Sequence, residues 1–217
     1  MANIASVIDH TLLRADATPQ DIIQLCNEAR EYDFAAVCVN STYTQLVAKE
    51  LRGTSIATCV VIGFPLGASS TFAKTAEAVS AIADGANELD MVINIGAVKS
   101  GAWRIVEDDI AAVVKAAGTQ TLVKVILETC LLTDAEKELA CLVAQKAGAA
   151  FVKTSTGFSV SGATEKDVSL MKRVVPNMQV KASGGIRTLN QARAFLAIGA
   201  SRLGCSSSVS IVKGDLE

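Results

Sequence analysis

The sequence predicts an α/β chain folded as a single-domain (β/α)8 TIM barrel, and three observations lead there. Short apolar runs alternate with longer amphipathic stretches about once per 25–30 residues, the size of a strand–helix unit. The rhythm recurs through all 217 residues, with no linker, low-complexity tract or long charge run to divide them. The phrases "DGANELD", "KAGAAFVK" and "AIGASRLG" share one form: a helix stops at glycine, small residues follow and a strand begins. An open doubly wound sheet would also satisfy the alternation. The length fits a compact barrel, and the first strand lacks the glycine-rich turn of a dinucleotide-binding sheet. Residues 1–217 are therefore read as one barrel domain.

The elements follow in order. The apolar runs place strands at 7–10, 35–39, 55–63, 88–93, 122–127, 150–154, 179–182 and 202–204. Their near-continuous apolar character is what parallel strands covered on both faces require. Amphipathic stretches place helices at 18–32, 41–52, 70–84, 101–117, 134–148, 164–175 and 189–198, with a short one from Ser206. "DATPQD" opens the first helix with polar caps and an early proline. In "LLTDAEKE", Thr133 and Glu136 stand at capping-box spacing.

Composition narrows the function classes. Hydrophobic residues make up 50% but aromatics only 4%, so the core must be built from Val, Ile, Leu and Ala. A net charge of −2 supplies no global basic field for nucleic acid, though a local anion site is allowed. "MANIASVIDHTLL" lacks the pattern of a signal peptide, and no apolar run is long enough to span a membrane. A cytoplasmic protein is expected. The six cysteines are scattered without a CxxC pair and read as free thiols. A single histidine, His10, argues against a zinc site, and no metal is expected.

The chemistry lies in charges that interrupt apolar strands. Lys153 and Lys181 stand at strand ends, just before small-residue turns; Asp90 and Lys124 stand within their runs. These four come from the fourth to seventh strands, and barrels carry their reaction sites at the C-terminal ends of strands. Any one lysine could simply extend to solvent along its aliphatic stem, and a structural ion-pair network would also explain the set. If the side chains converge, a buried lysine beside a second cation has its pKa lowered and can attack a carbonyl to form a Schiff base. A nearby carboxylate then shuttles protons, without a metal or cofactor.

A second feature is anion binding. "KASGGIRTLNQA" puts two glycines between a strand and a helix, and "RLGCSSSVS" does the same with Gly204 and three serines. Backbone N–H groups at such turns cradle phosphate, and barrels often place a phosphate site after their last two strands. A phosphorylated substrate is expected.

"IDHTLL", "NELDMVIN", "LVKVILET", "FVKTSTGF", "VKASGGIR" and the closing "GCSS" resemble the 2-deoxyribose-5-phosphate aldolase family, in order and over nearly the whole chain. The resemblance implies a cofactor-free class I aldolase on this barrel. It would cleave 2-deoxyribose 5-phosphate reversibly to glyceraldehyde 3-phosphate and acetaldehyde. By that pattern Lys153 matches the Schiff-base lysine and Lys181 the second lysine that lowers its pKa. Asp90 matches the proton-relay carboxylate, and Lys124 a lysine interacting with it. Gly184, Gly185, Gly204, Ser206 and Ser207 match the phosphate turns. Thr156 and Gly157 match the turn after the nucleophile. Cys38 matches a cysteine near the acetaldehyde pocket, and Asp9 and Thr11 match first-strand residues facing the site. The partners implied are phosphorylated sugars and aldehydes, with a homodimer or homotetramer as the assembly.

Three positions depart from the family pattern. Phe158 stands where some members carry lysine, Cys205 where alanine or threonine is usual, and the tail "IVKGDLE" has no tyrosine. Other residues have simple structural readings: His10 as a hydrogen-bonded histidine, Trp103 as packing, and "FPLG" as a turn or site lining. Arg187 fits either phosphate steering or a solvent salt bridge. Two rivals remain at this level: a Schiff-base aldolase or transaldolase for another sugar phosphate, and a non-catalytic sugar-phosphate-binding barrel.

Overall fold

The computed structural model describes residues 4–214. Eight parallel strands close into a barrel in sequence order, with β8 pairing back to β1. They are β1 (Ile8–Leu12), β2 (Ala36–Val39), β3 (Ala57–Ile62), β4 (Glu88–Val92), β5 (Leu122–Ile126), β6 (Phe151–Lys153), β7 (Gln179–Ser183) and β8 (Arg202–Cys205). The helices are α1 (Pro19–Tyr32), α2 (Thr44–Glu50), α3 (Thr71–Ala83), α4 (Ile95–Lys99), α5 (Trp103–Ala117), α6 (Asp134–Lys146), α7 (Glu165–Val174), α8 (Leu189–Ala197) and α9 (Ser208–Lys213).

Helix starts follow local chemistry. Thr18, Thr133 and Thr188 each cap a helix, with Asp21, Glu136 and Gln191 completing reciprocal capping boxes. Several boundaries differ from the sequence reading. Val7 belongs to a 3-10 turn (Ile4–Val7), so β1 starts at Ile8. The expected helix over 41–52 is a 3-10 turn (Ser41–Tyr43) followed by α2. The expected helix from 101 starts at Trp103, and the short α4 before it is not marked by any periodicity in the sequence. Asn94 makes α4 possible by accepting the Ala97 N–H at 3.0 Å.

Side chains alternate across each strand, and this positions the site. Leu89 and Met91 on β4, Val123 and Val125 on β5, Val152 on β6, Val180 on β7 and Leu203 on β8 join the core between sheet and helices. The alternate residues face the barrel interior. Toward β2 and β3 the interior is apolar, built from Leu13, Ala36, Cys38, Cys59 and Val61. Toward β4–β8 it is charged. His10 on β1 bonds Ser208 at 2.9 Å and Glu28 at 2.7 Å, tying α9 and α1 to the barrel as a structural histidine. Trp103 packs half-buried against the core. All six cysteines are free thiols. No described helix is long and apolar enough to cross a membrane. The tyrosine-free tail beyond residue 214 lies outside the described residues.

Candidate active site

Strand register brings the expected charges together. Asp90 pairs with Lys124 across β4 and β5, and Lys153 with Lys181 across β6 and β7. Their side chains then meet. Asp90 Oδ2 accepts from Lys153 Nζ and Lys181 Nζ, each at 2.7 Å. The two amines are therefore no farther apart than the sum of those distances. Asp90 Oδ1 accepts from Lys124 Nζ at 2.8 Å and from the Cys59 thiol at 3.2 Å.

Barrel closure adds residues that the sequence left unplaced or assigned only by resemblance. Asp9 on β1 accepts from Lys181, and its other oxygen lies 2.6 Å from Arg202 on β8. Glu88 lies two residues before Asp90 and on the same face. It takes Lys124 at 2.6 Å and Arg202 through two contacts of 3.1 Å. Glu88 and Arg202 had no role in the sequence reading. The spacing of Glu88 from Asp90 was the available signal for one, since i and i+2 share a strand face.

The assembly contains four cations (Lys124, Lys153, Lys181 and Arg202) and three carboxylates (Asp9, Glu88 and Asp90). Burial alone would raise the Asp90 pKa, but the ammoniums of Lys124, Lys153 and Lys181 outweigh it and hold the carboxyl well below its ordinary range. Asp9 is likewise raised by burial, yet Lys181, Lys124 and Arg202 bring it down to about 2. Burial opposes the charge on Lys124, but Asp90 and the other nearby anions raise its pKa well above the ordinary value. Lys181 behaves the same way through Asp9 and Asp90. Both stay firmly charged, so the cluster carries one positive charge in excess. Its carboxylates are committed to these cations, including those of the two groupings that approach metal-ligand spacing, Cys38–Cys59–Asp90 and Asp9–Cys59–Glu88.

Lys153 is the amine of this cluster that reaches a cavity of about 340 Å³ at the C-terminal mouth of the barrel. Thr11, Thr156, Gly157, Gly184, Gly185, Gly204 and Ser206 line the same cavity. Gly184 has φ +85, and a Cβ there would lie 3.0 Å from Gly162 Cα and 3.4 Å from Gly157 Cα, so these turns pack backbone on backbone. At Gly204 a Cβ would come within 2.9 Å of Ser183 and 3.1 Å of Lys181 Cε.

Three expected binding residues stand elsewhere. Lys124 and Cys38 are fully buried beneath the cavity, and Ser207 is not part of its wall. Lys124 therefore acts on the cluster rather than on a ligand in the cavity. Cys38 lies at the level of Cys59, its partner across the β2–β3 ladder. Phe158 does line the cavity, with its ring edge-on to Phe64 at 5.2 Å. That contact explains an apolar side chain at the mouth, and Phe158 also lines a neighbouring cavity with Pro65 and Leu66 of the "FPLG" loop.

The turn after Lys153 is pinned by another residue absent from the sequence reading. Glu128 is buried and left-handed, with φ +55. Its carboxylate accepts the Thr156 N–H at 3.3 Å and the Thr156 hydroxyl, while that hydroxyl accepts the Phe158 N–H at 3.0 Å.

Comparison with known proteins identifies relatives of the chain. Residues 4–209 match the family profile described as DeoC/LacD family aldolase. A Bacillus cereus (strain AH187) protein named deoxyribose-phosphate aldolase is 57% identical over 214 residues, covering 98% of this chain and 96% of its own. A Bacillus anthracis (strain CDC 684 / NRRL 3495) protein of the same name is 56% identical with the same coverage. The tetrameric deoxyribose phosphate aldolase of Aeropyrum pernix superposes with a TM-score of 0.91 at 35% identity, covering 97% of this chain and 89% of that one. On fold and on a match spanning nearly the whole chain, the chain belongs to the DeoC/LacD family of aldolases.

Proposed function

We propose that the chain reversibly cleaves 2-deoxy-D-ribose 5-phosphate to D-glyceraldehyde 3-phosphate and acetaldehyde, with Lys153 as the Schiff-base nucleophile. One observation carries this reading. Lys153 Nζ shares Asp90 Oδ2 with Lys181, and it does so at the floor of a cavity whose wall is built from glycine turns. The excess positive charge is removed when one proton leaves the cluster, and Lys153 is the amine that faces the substrate. Its neutral nitrogen attacks the C1 aldehyde, and loss of water gives the iminium. Removal of the 3-hydroxyl proton lets the C2–C3 bond break. Its electrons move into the iminium to give an enamine, and glyceraldehyde 3-phosphate departs. Protonation at C2 and addition of water release acetaldehyde and restore the amine. Asp90, bonded to both Lys153 and Lys181, relays these protons. Thr156 and Gly157 border the sugar, and the backbone N–H groups at Gly184, Gly185, Gly204 and Ser206 receive the phosphate.

The setting in which the chain acts is the cytoplasm, in the breakdown of deoxyribonucleotide sugars. A homodimer or homotetramer is the proposed assembly, supported by the tetrameric Aeropyrum pernix relative; size-exclusion chromatography with light scattering tests it. Acetaldehyde plus borohydride should leave an ethyl group on Lys153, and Lys153→Ala should lose both the adduct and turnover. An adduct on another lysine, or none, would overturn the mechanism, and the latter would favour a non-catalytic binding barrel. Faster cleavage of ribulose or fructose phosphates than of 2-deoxyribose 5-phosphate would move the substrate to another sugar.

A further inference from the structure

We infer that Arg14 is a specificity-determining residue that reads the substrate's phosphomonoester dianion with its guanidinium N–H donors from the end of β1. The inference rests on the aldolase reading above. Arg14 lines the same cavity as Gly184, Gly185 and Ser206, together with Arg187. Its guanidinium is held in place rather than loose. One terminal nitrogen lies 3.0 Å from Asp16 Oδ1 and the other 2.6 Å from Asp21 Oδ2. Asp21 is itself fixed, because its carboxylate accepts the Thr18 N–H and hydroxyl at 2.8 Å each in the cap of α1. The helix cap thus anchors the arginine at the cavity rim.

A guanidinium has five N–H donors in a planar fork, so two carboxylate contacts leave donors for a third anion. Of the other cations near the site, the lysines cannot take this role, and Arg187 lines the cavity from the turn between β7 and α8. Lys124 and Lys181 are buried and committed to Asp90, and Lys181 also to Asp9. Lys153 is reserved for the carbonyl. A phosphate seated at the glycine turns would meet backbone N–H groups on one side and the arginine fork on the other. Asp16 and Asp21 place two carboxylates against the single Arg14 charge, and its side chain is 46% exposed, so what it offers the phosphate is one screened hydrogen bond from a remaining N–H donor rather than net positive charge.

The test compares Arg14→Gln, Arg14→Lys and a charge control, Arg104→Gln, whose side chain is 94% exposed. Arg14→Gln should raise KM for 2-deoxyribose 5-phosphate about five- to tenfold, the range of one such hydrogen bond, with kcat within about twofold. The preference for the phosphorylated sugar over 2-deoxyribose, as a ratio of kcat/KM, should fall by the same factor. Arg14→Lys should recover part of the loss, and Arg104→Gln none of these changes. An unchanged KM, or an equal loss on both sugars, would overturn the inference. Stabilisation against heating by inorganic phosphate gives a readout without turnover. It should weaken in Arg14→Gln, so a failure of the aldolase reading and a failure of the Arg14 role are told apart.

Discussion

Replacing Asp90 with asparagine separates catalysis from stability when it is compared with Glu88→Gln. Asp90 receives three ammoniums on two oxygens, two of them on Oδ2. An amide has one accepting oxygen and one donating nitrogen. The amide in Asp90→Asn must therefore turn N–H groups toward at least one ammonium, and four cations are left facing two carboxylates in a fully buried setting. Removing one partner from a buried charge network is destabilising by about 3–5 kcal/mol. That is a large share of the roughly 5–15 kcal/mol holding an ordinary domain. Glu88→Gln removes a charge of the same sign from the same cluster, but Glu88 touches Lys124 and Arg202 and not Lys153. Both variants should thus lose comparable stability at pH 7, read by urea denaturation. Only Asp90→Asn should also lower kcat by about 10²- to 10⁴-fold, the range for a lost general acid–base group. Equal losses of kcat in the two variants, or a near-normal rate in Asp90→Asn, would refute the reasoning and return Asp90 to a structural ion pair.

Two further outcomes follow from the same charge count. Lys181→Leu leaves three cations against three carboxylates while Lys153 is still protonated. Releasing that proton would then create net negative charge beside Asp9 and Asp90, which lose their shared ammonium, so the rate should drop severely; a near-normal rate would sink the role of Lys181. The depressed carboxyls also fix a direction for acid stability. Asp9 falls from 3.8 unfolded to about 2 folded, and Asp90 lies well below 3.8. Groups depressed on folding contribute stability that is present above the unfolded value and lost as pH falls through the folded one. Urea midpoints should therefore decline as pH drops below about 4 and keep declining toward about 2, and a flat response across that window would contradict the ion pairs.

The strands were legible because both of their faces are covered, which writes them as apolar runs. Their ends were not, because local hydrogen bonds decide them. The third strand begins at Ala57 rather than Ser55, where the Thr54 hydroxyl holds the Ile56 N–H at 3.2 Å. The helix α4, "IGAVK", is too short and apolar to show helical periodicity, and it exists because Asn94 caps it. At the site, Lys153, Lys181, Lys124 and Asp90 stood out as charges inside apolar runs. Glu88 and Arg202 did not, since each occupies the first residue of its strand, where a charge usually meets solvent. Only closure of the barrel turns those starts inward. Asp9 and Lys181 are 172 positions apart in sequence, and their contact follows from the pairing of β8 with both β7 and β1. Arg14 and Glu128 were missed for a related reason. Both act through loops whose course depends on neighbouring elements: Arg14 is held by Asp16 and Asp21, and Glu128 by its bonds to Thr156.

The cluster itself is the strongest argument that the charges are kept for chemistry. Buried ion pairs are poor stabilisers, and well-packed aliphatic side chains of similar volume often do as well or better. The barrel shows that it can build such an interior, because toward β2 and β3 the inward positions are Ala36, Cys38, Cys59 and Val61. Continuing that pattern through β4–β8 would satisfy packing and leave no carboxyl to titrate. Instead seven ionisable side chains from six strands meet with one more cation than anion, and the amine that borders the cavity is Lys153. A stabilising network would balance its charge. An imbalance relieved when one proton leaves is what a nucleophilic amine requires.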